Sequence, residues 1–118
     1  MPDCQEVKAG LPASLAVLEG KSGDSLTLSV DVNDMQFPYS VVFESRTIIF
    51  GFVDRSETLP DLQPGTYVVS WAFSHRSKGW KHELTARLGQ GAAKVLDSRS
   101  EENRDNPFAA GSAVICIQ

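Results

Sequence analysis

The alternation running from residue 66 to residue 88 constrains this chain more than any other feature. Tyr67, Val69, Trp71, Phe73 and His75 alternate with Val68, Ser70, Ala72, Ser74 and Arg76. Past Lys78-Gly79 the rhythm resumes, with Trp80, His82, Leu84, Ala86 and Leu88 set against Lys81, Glu83, Thr85 and Arg87. A period of two means extended strands, each turning one face to a core. With Lys78-Gly79 as a two-residue turn the segment reads as a hairpin, in which His75 faces His82 and Arg76 faces Lys81.

The same logic extends along the chain. Leu26, Leu28, Val30 and Val32 share one face of a strand over 24–32, and Tyr39 to Phe43 forms the next strand. Ile48, Ile49, Phe50, Phe52 and Val53 make a nearly continuous apolar run, the pattern of a central strand covered on both sides. Residues 54–64 read as a polar connection, 92–96 as a strand, 98–107 as a charged loop and 111–117 as a closing strand. The first ten residues read as a tail or edge segment, and no segment shows helical spacing. At 118 residues the chain is sized for one domain with its own core. The expected architecture is all-β: a single antiparallel sandwich of seven or eight strands, immunoglobulin-like or jelly-roll.

One short stretch supports this architecture. Leu62-Gln63-Pro64-Gly65-Thr66-Tyr67 resembles the L-x-P-G-T-Y lead into a strand of immunoglobulin-like and fibronectin-like sandwiches. The resemblance implies a tyrosine corner, in which the Tyr67 hydroxyl bonds nearby backbone. It implies nothing about a ligand.

Charge and motifs exclude several functions. A net charge of −4 argues against a general nucleic-acid binder, which needs clustered Lys and Arg to neutralise phosphate. No run approaches the roughly 20 apolar residues of a membrane span. The N-terminus lacks a secretory pattern, which tilts expectation toward the cytoplasm, where Cys4 and Cys116 would stay reduced thiols, one buried and one exposed. A bridge between them is the alternative. The acids of 97–105 (Asp97, Glu101, Glu102 and Asp105) lack the alternate spacing and glycine of a calcium loop and read as a solvated connection. Gly20-Lys21-Ser22 lacks the first glycine of a phosphate-binding loop and precedes a strand. No nucleophile motif is present, and two histidines fall short of a zinc set, so no metal, cofactor or catalytic residue is expected.

What remains is the hairpin tip. His75, Arg76, Lys78, Trp80, Lys81 and His82 would gather two imidazoles, three cations and an indole at one end of the domain. An indole stacks on sugars or cations, and opposed like charges invite an anion. The expected function is a non-catalytic binding module recognising a carbohydrate or an acidic protein surface through this tip. The alternative is a structural or assembly subunit, a homo-oligomer that pairs through a sheet edge or face.

Overall fold

In the computed structural model, which describes residues 3–76, 78–102 and 106–118, nine strands form two sheets around one core. The strands are β1 (Ala16–Gly20), β2 (Leu26–Asn33), β3 (Tyr39–Phe43), β4 (Arg46–Gly51), β5 (Arg55–Leu59), β6 (Gly65–Ser74), β7 (Lys81–Leu88), β8 (Lys94–Ser100) and β9 (Phe108–Ile117). A five-stranded sheet runs β1-β9-β6-β3-β4 and a four-stranded sheet runs β5-β2-β7-β8. β1 lies parallel to β9, and every other pairing is antiparallel.

The period-two faces hold. Leu26, Leu28, Val30 and Val32 are buried from β2, Val69, Trp71 and Phe73 from β6, and Leu84 and Ala86 from β7. Burial of each large aliphatic or aromatic side chain contributes roughly 1.5 to 3 kcal/mol, and these residues form one continuous cluster. Tyr67 donates its hydroxyl to the Gln63 carbonyl at 2.6 Å, the bond that the tyrosine-corner resemblance implies.

Several expectations need correction. The segment 66–88 is not a hairpin. β6 and β7 belong to opposite sheets, so the chain passes from one sheet to the other between Ser74 and Lys81. Alternation states that a strand faces the core, but it is equally satisfied by strands side by side and by strands face to face across the roughly 10 Å between sheets. Residues 48–53 are not a central strand. β4 is an outer edge, and Phe50, Phe52 and Val53 stand more than half exposed. Residues 55–59, read as a connection, form β5 against β2. Residues 97–100 are strand, not loop, and Asp97 is buried. Of the other acids grouped with it, Glu101 and Glu102 are exposed, and Asp105 lies outside the described residues.

The N-terminal segment is a helix, α1 (Cys4–Ala9), capped by the Asp3 carboxylate on the Gln5 N–H. Its Cys4 is bonded to Cys116 of β9, with a Cα–Cα distance of 5.9 Å. The expected pair of reduced thiols is therefore overturned, and the alternative holds. The parity of β9 turns Cys116 to the outer side of the five-stranded sheet, so α1 is tied over one end of that face.

Candidate functional site

The residues expected at an exposed tip divide into two groups. His75, Trp80 and His82 are buried, at 0, 2 and 2% exposure. Arg76, Lys78 and Lys81 are exposed. Arg76 and Lys81 are not opposed. Arg76 reaches Asp34 at 3.5 Å, while Lys81 stands in register with Asn33 on one side and Ser100 on the other. The like-charge pair that would have attracted an anion is absent. Trp80 is not available for stacking on a ligand, because its indole lies 4.7 Å from the His75 ring and 6.2 Å from that of His82.

The two histidines do meet, but across the interior. His75 follows β6 of one sheet and His82 belongs to β7 of the other. Their rings are nearly coplanar, with His75 Nε2 2.9 Å from His82 Nδ1. On the outer side of His75, Nδ1 lies 3.0 Å from the Asn33 carbonyl oxygen. Beyond His82, Nε2 lies 2.8 Å from Asp97 Oδ1. The second carboxylate oxygen accepts from Trp71 Nε1 at 2.8 Å, and Arg99 Nε stands 3.0 Å from the first. The Phe73 ring stacks on His82 with centroids 4.1 Å apart. One polar chain thus runs Asn33–His75–His82–Asp97–Trp71 and passes between the two sheets three times.

Burial pushes the Asp97 pKa up, yet donation from His82 and Trp71 and the nearby positive charge outweigh it, holding the carboxyl below its ordinary value. Burial dominates at His75 and lowers its pKa, against an upward pull from the Asn33 carbonyl. Such a chain resembles a charge relay, but among the described residues no hydroxyl or thiol nucleophile is hydrogen-bonded to either imidazole, and no cluster of three metal-ligating side chains exists. Sequence reasoning singled out the His pair and missed both Asp97 and Trp71 as its partners. The inward parity of Trp71 was readable; the β8 boundary that carries Asp97 inward was not.

A second feature lies on the outer face of the five-stranded sheet. Register places Phe50, Ser40, Ala72 and Ala110 in one row across β4, β3, β6 and β9. The next row is Thr47, Val42, Ser70 and Ser112. Ser74 beside Phe108 and Val68 beside Val114 bound the rows. Phe50 and Phe108 are 60 and 53% exposed, so two aromatic rims flank a floor of small side chains. None of these positions carries a charge. The outer face of the four-stranded sheet differs, since it presents Asp31, Lys81, Glu83 and Arg87.

Three of the four sheet edges, β4, β5 and β8, are blunted. The β3–β4 pairing is interrupted by a bulge after Val41 and the β7–β8 pairing by one after Leu84, while β5 carries Arg55 and Glu57. Bulges and charges are what keep an edge from recruiting another strand.

Among the described residues no helix is long and apolar enough to cross a membrane. Comparison with known proteins yields no matching family model, no matching curated protein and no matching solved structure.

Proposed function

We propose that this chain is a non-catalytic assembly module that pairs with a second copy of itself through the outer face of the five-stranded sheet. The observation that carries the reading is the absence of charge from the rows between Phe50 and Phe108, in a protein of which 22% is charged. Exposed aromatic rims around an uncharged floor of small side chains support an interaction site on this face. The tip reading, in which carbohydrate or an acidic surface meets His75, Arg76, Lys78, Trp80, Lys81 and His82, draws no support from burial of the two imidazoles and the indole.

A second copy is the occupant that the chemistry favours. Each group in the two rows is either apolar or a hydroxyl, and a hydroxyl both donates and accepts, so the rows are complementary to themselves. A two-fold pair requires that property. Two copies each carrying −4 would repel through charged surfaces, and this face lets them approach without opposing like charges. The blunted edges favour pairing by face over pairing by edge.

Four strands about 4.8 Å apart and seven residues along β6 outline a patch of roughly 450 Å² per copy. Two copies bury about 1,000 Å² with the rims, the lower end of specific interfaces and the size class of weak, transient pairs. The Cys4–Cys116 bond supports residence where thiols are oxidised. The Tyr67 corner favours an immunoglobulin-like over a jelly-roll description of the sandwich.

Light scattering after size exclusion, run across a concentration series, tests the pairing. The wild type is expected to shift from monomer toward dimer between about 5 and 500 µM, as a weak pair does. Ala72→Arg, in the middle of the face, is expected to stay monomeric with its melting temperature little changed. Thr85→Arg on the opposite face should pair like the wild type. A wild type that remains monomeric at the highest concentration, or Ala72→Arg that still pairs, refutes the reading.

A further inference from the structure

The histidine chain has a proton count that its geometry fixes. Three hydrogen bonds run through two imidazoles, from the Asn33 carbonyl at one end to Asp97 at the other. The carbonyl can only accept, so His75 Nδ1 must carry a proton. The ionised carboxylate also only accepts, so His82 Nε2 must carry one too. The inner contact, 2.9 Å between His75 Nε2 and His82 Nδ1, then needs a third. Two neutral imidazoles bring only two protons and leave lone pair against lone pair at one of the three contacts. Two imidazolium rings bring four and set N–H against N–H at the inner one.

We propose that His75, His82 and Asp97 form a shared-proton clamp between the two sheets, satisfied by one excess proton on the imidazole pair and opened by a second. The inference does not depend on the pairing reading. It stands on the three distances and on burial of both rings. The surroundings are consistent with it. From β8, Asp97 neutralises the pair and Arg99 neutralises Asp97. From β6, Trp71 donates to Asp97, and Phe73 covers His82. Trp80 covers His75, and Asp34 after β2 is engaged by Arg76. Asn33 also holds the crossing segment, accepting from the Lys81 N–H and donating to the Gly79 carbonyl, so loosening the clamp loosens this end of the sandwich.

The sign of the pH dependence follows from the count. In the unfolded chain each histidine titrates near about 6.5, so the two together bind about one proton there. That equals the folded excess. Below that pH the unfolded chain takes up a second proton that the clamp cannot hold, and stability falls with acid. The depressed His75 works in this direction. Above it the unfolded chain gives up its proton while the clamp keeps one, so stability falls with alkali until the pair releases it. The depressed Asp97 acts only below its ordinary range and leaves the window between pH 5.5 and 7.5 to the histidines.

Ring ¹⁵N spectroscopy of the uniformly labelled protein at pH 6.5 tests the count on the wild type. Three ring N–H protons over the two histidines are expected, including one on His75 Nδ1 and one on His82 Nε2. Two neutral rings overturn the proposal. Urea unfolding across pH 5.5 to 7.5 is the second arm, with a stability maximum expected near about 6.5 and a folding equilibrium constant falling by up to about tenfold per pH unit on either side. A flat profile overturns it. Asp97→Asn supplies an amide N–H to His82 Nε2 and an oxygen to Trp71, which satisfies the chain with two ring protons. This variant should lose the alkaline fall and keep the acid one; retention of both falls is contrary to the clamp. Should Asp97→Asn not fold, the wild-type spectrum decides alone.

Discussion

Trp71 and Gly111 face each other in register between β6 and β9, and they should be coupled strongly enough to measure. A methyl at position 111 would stand 2.7 Å from Trp71 Cζ2, 2.9 Å from Cε2 and 3.0 Å from Nε1. The ring cannot readily give way, because Nε1 is held on the buried Asp97 at 2.8 Å. Gly111→Ala alone should therefore cost about 1 to 3 kcal/mol by overpacking, with a fraction of a kcal/mol returned by the stiffer backbone. Trp71→Leu alone should cost about 4 kcal/mol, through the cavity and the lost donor to a carboxylate. Leucine removes every atom that the methyl would meet. In that background Gly111→Ala should be neutral or stabilising by about 0.5 kcal/mol, a coupling of about 2 kcal/mol across the cycle. The assay is urea denaturation followed by far-ultraviolet circular dichroism, with all four proteins in the same sucrose concentration so that the weakest remains folded at zero urea. Costs that add to within about 0.5 kcal/mol would refute the close approach of Gly111 to the ring.

Other perturbations probe separate parts of the structure. Cys4→Ser with Cys116→Ser opens a loop spanning 112 residues of sequence separation; on the loop-entropy model it should cost about 5 kcal/mol in urea unfolding. Trp80→Ala should cost about 3 to 5 kcal/mol, because the indole is buried on His75; a melting temperature within a few degrees of the wild type would return Trp80 to the surface. Tyr39→Phe removes the hydroxyl donating to the Val53 carbonyl at 2.7 Å and should cost about 1 to 2 kcal/mol in the same assay.

Alternation encodes which residues of a strand face the core and leaves open which sheet the strand joins. Inward parity was correct along β2, β6 and β7, since burial of Leu28, Val69 or Leu84 leaves its mark on every second residue. Sheet membership was not encoded. The six positions between His75 and His82 suit a tight turn and a crossing equally well, and only the pairing of β6 with β3 and of β7 with β2 separates the two. The apolar run at 48–53 misled for a related reason: an edge strand whose outer face is uncharged reads like a central one. Helix α1 is too short to show a period and is held by Asp3 and the Cys4 bond instead. Of the candidate site, the histidines were found from their facing parity, but Asp97 looked like one acid among several in a polar stretch. Its role depends on β8 continuing through Ser100, which no turn residue announces.

The most direct measurement of the central claim is an isotope-filtered NOE experiment on an equal mixture of labelled and unlabelled chain near 0.5 mM. Pairing by the uncharged face requires intermolecular NOEs linking Phe50 or Phe108 of one copy to Ala72 and Ala110 of the other. An interface whose NOEs arise from Asp31, Thr85 and Arg87, or a sample with no intermolecular NOEs at that concentration, contradicts it.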